Sequence, residues 1–153
     1  MNRVSAPTAR LFWTSIAVGL VLPAAVSIGV DAVKGASLVA AIQQWLRHLF
    51  EPGYNEFLLC MINGAPFLVL AVFTRIHLAS EKPRQRRSGG ITGGLVAGSG
   101  FLVHGLAGIR SSRSSTAAIG YLFLPFFIAV VIPIGYVAGR LFARVRARLC
   151  RSA

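Results

Sequence analysis

The sequence contains few acidic residues and few cysteines, and both shortages limit what the protein can do. Its 153 residues include 16 Lys+Arg against 4 Asp+Glu, giving a formal net charge of +12. Cys60 lies inside an apolar block and Cys150 in a basic tail, and this difference in expected depth argues against a disulfide between them. Neither cysteine has metal-ligand spacing with a histidine, so we predict no metal site.

Motifs that carry catalysis are also missing. The chain has no carboxylate pair within one apolar block, no G-x-S-x-G and no H-E-x-x-H. Nucleotide binding is not predicted either, because no G-x-G-x-x-G follows a strand and no Gly-Lys-Ser/Thr sequence is present. We therefore predict a protein that is not an enzyme, has no catalytic residues and binds no cofactor.

Charge is scarce within four long apolar blocks. Hydrophobic residues make up 55% of the chain and charged residues 13%, and the charges collect between the blocks. This segregation is typical of chains that cross a bilayer. We predict an all-α membrane protein whose single membrane domain, residues 1–153, is a bundle of about four transmembrane helices. The predicted spans cover about residues 11–30, 57–78, 91–109 and 117–142.

The first block has a second interpretation as a cleaved signal peptide, because Arg3 and Arg10 precede it. Residues 11–30 are uncharged and number about twenty, enough to cross a hydrocarbon core of ~30 Å. The block is longer than a usual signal sequence, and no clear A-x-A cleavage site follows it. We favour a retained span.

A more polar segment separates the first two spans. Its apolar residues share one helical face, which predicts an amphipathic helix over about residues 36–50 lying in the membrane interface. A short soluble helix packed on the membrane domain is the alternative. The apolar face consists of Leu38, Ile42, Trp45, Leu46 and Leu49.

Basic residues concentrate on one side of the predicted membrane. The N-terminus, residues 75–87 and the C-terminal segment carry twelve of the sixteen Lys/Arg, whereas the other side carries three of the four acids. The positive-inside rule therefore predicts that both termini, a basic loop over residues 79–90 and a basic tail over residues 143–153 are cytoplasmic. Anionic lipid headgroups are the expected partners there. The predicted headgroup contacts are Arg84, Arg86, Arg87, Arg144 and Arg148.

Two broader expectations follow from composition. Nucleic acid is not an expected partner, because the basic residues border apolar spans and form no continuous soluble face. Arg outnumbers Lys fourteen to two, and Ala and Gly are abundant. This usage is associated with GC-rich bacterial genomes, so we expect a bacterial plasma (inner) membrane.

Glycines in the third and fourth spans recur at four-residue spacing. Such small-xxx-small patterns allow membrane helices to approach closely. Together with the lack of charge inside the spans, they favour a structural or accessory protein that packs with itself or with a larger membrane complex. The predicted helix-packing residues are Gly90, Gly94, Gly98, Gly135 and Gly139.

Three polar residues inside the spans suggest an alternative function. His104 lies deep in the third span, and ionisable residues at such depth are functional candidates. If Asn63 and Ser99 face it, the three would line a polar spot suited to a small transporter or channel. A neutral His104 that only bonds a neighbouring helix is favoured, because no carboxylate lies at comparable depth in any span.

Overall fold

The computed structural model describes residues 6–51, 55–78, 84–112 and 117–152, and all regular structure in these ranges is α-helical. The helices are α1 Ala6–Val33, α2 Leu38–Phe50, α3 Glu56–Leu78, α4 Arg84–Ser111 and α5 Ala117–Ser152. Four of them are long and apolar enough to cross a membrane, over Ala9–Val33, Glu56–His77, Arg87–Ser111 and Ile119–Cys150. The prediction of an all-α chain with four long apolar helices is confirmed in these ranges.

Two of the helices extend well beyond the apolar segments predicted for them. α4 begins at Arg84, so residues 84–90, which we assigned to a loop, form its first two turns. α5 continues unbroken to Ser152, and its 36 residues extend about 54 Å at about 1.5 Å per residue. Hydropathy detects only the apolar part of a helix, whereas backbone hydrogen bonding continues through the charged turns.

A tight turn joins α1 to α2. Gly35 has a φ of 105°, in the left-handed region that favours glycine, and its N–H donates to the Ala32 carbonyl at 3.1 Å. Two residues later the Ser37 hydroxyl accepts a hydrogen bond from the Ala40 N–H at 3.2 Å and caps α2. The turn returns the chain so that α2 packs against α1 and α3 and buries Ala41.

The apolar core lies between α3, α4 and α5, and α1 packs along α3 and α4. Three buried polar side chains, those of Ser15, Asn63 and Thr74, donate to carbonyls of their own helix; the Thr74 hydroxyl, for example, donates to the Leu70 carbonyl at 2.7 Å. The core residues are Phe67, Leu70, Ile91, Leu95, Leu102, Leu106, Leu124, Ile128 and Ile132.

Consecutive long helices run antiparallel. Different charged residues collect at the two ends of the bundle. The start of α1 lies beside the end of α3, where the Arg75 guanidinium is 5.9 Å from the centre of the Phe12 ring. The end of α1 lies beside the end of α4, where Asp31 pairs with Arg110 at 3.0 Å. We call these the basic end and the acidic end. The basic end contains Phe12, Arg75, His77, Arg87 and Arg140, and the acidic end contains Asp31, Glu56 and Arg110.

Glycines on both partners let the helices cross at backbone distance. Between α4 and α5, a methyl group on Gly93 would lie 2.9 Å from the Cα of Gly139, and one on Gly135 would lie 2.5 Å from the Gly93 carbonyl oxygen. Between α1 and α3, a methyl group on Gly19 would lie 2.9 Å from the Gly64 carbonyl oxygen. Any larger residue at these crossings would force the helices apart.

Replacing Gly93 by alanine is expected to lower the free energy of unfolding by about 1–3 kcal/mol, because the added methyl group overpacks the α4–α5 crossing. Denaturant unfolding in mixed detergent micelles measures this quantity. Gly29→Ala is the matched control, since no atom lies within 4 Å of a methyl group at that position. Equal stabilities of the two variants would show that the crossing does not require glycine.

Candidate functional site

Three helix ends meet in a charge cluster at the acidic end. Arg110 Nη1 donates to Glu56 Oε1 at 2.7 Å, and Arg110 Nη2 donates to Asp31 Oδ2 at 3.0 Å. The side chains of Arg110 and Glu56 are each 13% exposed and that of Asp31 is 17% exposed. The planar guanidinium presents several donors in fixed directions, so one arginine can bind two carboxylates. The cluster therefore connects the end of α1, the start of α3 and the end of α4.

A fourth charge completes this cluster. The Lys34 ammonium donates to the main-chain carbonyl of Arg110, in the last turn of α4. Carbonyls at a helix C-terminus lack partners within the helix, and cations are favourable there. Two carboxylates, one guanidinium and one ammonium balance electrically. Such a cluster is suited to holding helix ends together, and it has no excess charge with which to attract a free ion.

A small polar cavity lies directly below the charge cluster, towards the middle of the bundle. It has room for about one water molecule, with a volume of about 10 Å³. Asn63 is the deepest polar residue beside it: the side chain is buried, and its Nδ2 donates to the Leu59 carbonyl at 2.8 Å. Asn63 Oδ1 has no hydrogen-bond partner in the described part of the chain. The cavity is lined by Pro23, Ser27, Glu56, Leu59, Cys60, Asn63, Leu106 and Tyr121.

This cavity has room for one donor of the size of a water molecule. The polar residues of its lining are Asn63, Ser27, Tyr121 and Glu56. The Arg110 guanidinium beside Glu56 disfavours a metal cation there, because like charges repel at short range. Within the four described ranges, no three His, Cys, Asp or Glu side chains gather to hold a metal ion.

The structure does not bring together the three residues predicted to form an intramembrane polar site. Asn63 is buried on α3, whereas His104 is exposed on α4 and Ser99 is half-buried on the same helix. Neither His104 nor Ser99 lines the cavity beside Asn63. The three residues therefore do not share a cavity. Any functional role of each residue stays a prediction.

The five glycines predicted to pack helices lie at or beside the α4–α5 contact. Gly135 and Gly139 form the α5 side of the crossing opposite Gly93. Methyl groups on the other three would lie within 3.0 Å of α5 atoms: those of Tyr136 and Arg140 at Gly90, and those of Ile132 at Gly94 and Gly98. These small-residue faces are thus occupied within the chain.

The arginines predicted to contact lipid headgroups differ in their surroundings. Arg87 is half-buried, and its Nη1 donates to the His77 carbonyl at 2.8 Å. Arg144 and Arg148 are exposed on the final turns of α5. The side chains of Arg84 and Arg86 lie outside the described residues.

The charge cluster is the feature that the sequence analysis missed. Topology had already assigned Asp31, Glu56, Lys34 and Arg110 to one side of the membrane and to the ends of spans. Opposite charges at adjacent span ends on one side of the membrane can form ion pairs. The positions of these residues in the sequence could therefore have predicted that a charge cluster forms. The sequence could not indicate which basic residue of that side pairs with which acid.

Comparison of the chain with protein-family models, curated proteins and solved structures finds no match. Its function must therefore be inferred from its own residues and geometry.

Replacing Arg110 by leucine is expected to lower the free energy of unfolding by about 3 kcal/mol, because it leaves two mostly buried carboxylates without their partner. The measurement is again unfolding in mixed micelles. The variant that combines R110L with D31N and E56Q serves as the control. It should recover much of the loss, because its buried groups are neutral. A cost below about 1 kcal/mol for R110L, the range of exposed ion pairs, would contradict a stabilising role.

Proposed function

We propose that the chain is a non-enzymatic, multi-pass protein of a bacterial inner membrane that assembles with a second copy of itself through α4. Both termini face the cytoplasm in this proposal. Its task is to build or support a membrane assembly. Four helices of sufficient length and apolarity support the membrane location.

The separation of charge between the two ends supports the orientation. Arg75, Arg87 and Arg140 belong to the basic end, from which the arginine-rich last turns of α5 also extend. Two acids, Asp31 and Glu56, belong to the acidic end. The positive-inside rule assigns the basic end to the cytoplasm.

Exposed apolar side chains on α2 support its location in the membrane interface. α2 buries Ala41 against the bundle, yet the apolar surface that continues round the helix from it is exposed, from Leu38 beside Ala41 through Leu46 to Phe50 at the far edge. Phe50 is 84% exposed. A helix that is apolar on its free side and polar elsewhere is stable at the boundary between headgroups and acyl chains.

One observation carries the assembly proposal: α4 has an open small-residue face with a histidine at its centre. Gly100, His104 and Gly108 follow one another at four-residue steps and are all exposed. In the described part of the chain, no atom apart from the nearby backbone of α4 itself lies within 4 Å of a methyl group built on Gly100 or Gly108. Small residues beside a polar side chain are what a closely packed membrane-helix interface requires.

The chemistry of His104 favours a second copy as the partner. A neutral imidazole has one donor and one acceptor nitrogen, so where two copies of α4 meet, the ring of one copy can donate a single hydrogen bond to the ring of the other. Exposure to lipid alone would leave both nitrogens unsatisfied in hydrocarbon, which is costly. Pairing with an identical chain gives two of the four ring nitrogens a partner and so reduces that cost without requiring any other polar group.

Gly100→Ile is expected to weaken the dimer about tenfold or more, because the added side chain fills the face on which the second helix would pack. Native mass spectrometry of protein extracted gently from its own membrane, over a range of concentrations, measures the dissociation constant. Gly29→Ile makes the same substitution at another open helical glycine and should leave the dimer intact.

The outcomes of this experiment separate self-assembly from its alternatives. A wild-type monomer at every concentration would overturn the proposal. A defined complex containing a different subunit would instead indicate a larger membrane assembly. Equal effects of the two isoleucine variants would show that the α4 face is not the contact.

A small transporter or channel is the second candidate, and the Asn63 cavity is the observation that favours it. A buried amide oxygen without a partner beside a polar cavity is costly unless it serves a ligand or a water molecule. The cavity adjoins the charge cluster and thus one end of the bundle. His104 lies on the exposed face of α4 and is not part of this cavity.

Asn63→Leu tests this second candidate. If the amide has only a packing role, the apolar replacement should leave stability unchanged or raise it by up to about 1 kcal/mol, since an unsatisfied buried group is removed. Proton flux is then measured in proteoliposomes that contain a pH-sensitive dye. A wild-type flux that the variant loses while its stability is kept would favour transport, and His104→Ala, at a residue outside the cavity, should leave that flux intact.

A further inference from the structure

Beyond self-assembly, the basic end holds four residues from three helices that are linked by successive contacts. Arg87 Nη1, at the start of α4, donates to the carbonyl of His77 at 2.8 Å, and the His77 ring lies 3.0 Å, Nε2 to Oη, from Tyr136 of α5. One turn further along α5, the Arg140 guanidinium lies 5.7 Å from the centre of the Tyr136 ring. Two guanidinium groups thus flank one histidine–tyrosine pair.

Packing holds these groups in position. A methyl group on Gly90 would lie 2.7 Å from Tyr136 Cε2 and 2.8 Å from Arg140 Cγ, so the bare backbone of α4 forms the surface on which both side chains rest. On the other side, the His77 ring stacks on Phe73 with 4.8 Å between ring centres. All four of the contacting side chains are half-buried.

The positive charge of this site is not neutralised by the described part of the chain. In the described ranges the acids are Asp31, Glu51 and Glu56. Asp31 and Glu56 pair with Arg110 at the acidic end, and Glu51 is exposed five residues before Glu56. Among the contacts of the described residues, Arg87 uses one of its five N–H donors, on the His77 carbonyl.

We propose that Arg87 and Arg140, together with His77 and Tyr136, bind the phosphate of an anionic phospholipid. Arginine matches phosphate oxygens with paired, directional donors. Basic pockets between membrane helices on the cytoplasmic side are suited to lipid headgroups. The apolar part of a lipid would meet a continuous exposed surface of α3 just below the site. That surface consists of Val69, Val72, Phe73 and Ile76.

The test measures retention of phosphatidylglycerol relative to phosphatidylcholine by native mass spectrometry of the full chain in mixed micelles. Wild-type protein is expected to prefer phosphatidylglycerol, and the double variant R87Q/R140Q should lose about tenfold or more of that preference. The control R144Q/R146Q removes two exposed arginines from the final turns of α5, with the same change in charge, and should keep most of it. Equal losses in the two double variants would overturn the site, because general attraction to the basic tail would then suffice.

Two further arms keep the proposal falsifiable. R87K/R140K preserves the charge and removes the guanidinium geometry, so it should retain less phosphatidylglycerol than wild type even if R87Q/R140Q does not fold. Retention equal to wild type would overturn the role of paired arginine donors. Inorganic phosphate at millimolar concentration should not displace the lipid, and displacement would reassign the site to a free phosphate ion. These readouts differ from the oligomeric state, so the lipid site and self-assembly can fail independently.

Discussion

Close backbone contact between α4 and α5 is the interaction on which the rest of the bundle depends. α4 has the lowest mean hydropathy of the four candidate spans, 1.3 against 2.1 to 2.2, so it has the least tendency to lie in lipid alone. Lipid also provides no hydrophobic force between helices, and their association relies on dispersion at short range. Gly93 and Gly139 allow the backbones of α4 and α5 to come that close. With α5 in place, Ile91, Leu95 and Leu102 of α4 belong to the core that α3 and α5 complete.

Charged side chains determine the contacts at the ends of the bundle, whereas glycines determine the close helix contacts in its middle. At the acidic end, Arg110 pairs with two carboxylates, Lys34 supplies the second positive charge, and the pairing fixes the relative heights of α1, α3 and α4. At the basic end, arginines from α3, α4 and α5 contact aromatic rings and a carbonyl oxygen, with no carboxylate partner among the described residues. A balanced end is complete within the chain, whereas an unbalanced end attracts anions from its surroundings. The same ion-pair chemistry thus gives a structural cluster at one end and, at the other, the arginines of the proposed lipid site.

Much of the architecture could be predicted from the sequence, because apolar blocks of about twenty residues allow few alternatives to membrane-length helices. The segment before Ile91 was assigned to a loop because Ser88, Gly89 and Gly90 are flexible in water, yet they form helix where α5 supplies contacts to their backbone. It was harder to predict which side chains contact one another. Asn63 and His104 have similar sequence signals, and only the rotation of each helix determines that one is buried and the other exposed. Hydropathy does not encode that rotation when a span is apolar on every side.

Glycines on one face of α4 contact α5 in one half of the helix and leave an open surface in the other half. Gly100 lies seven residues after Gly93, two turns along the same face. At Gly93 this face is closed by Gly135 and Gly139 of α5. Towards the acidic end α5 contacts another part of α4, where a methyl group on Gly105 would meet Leu124, and the face at Gly100 is left open. A single small-residue stripe can therefore bind α5 in one half and remain available to a second helix in the other. The crossing of α4 and α5 thus determines which part of this face stays open, and it leaves the exposed His104 within the face proposed for self-assembly.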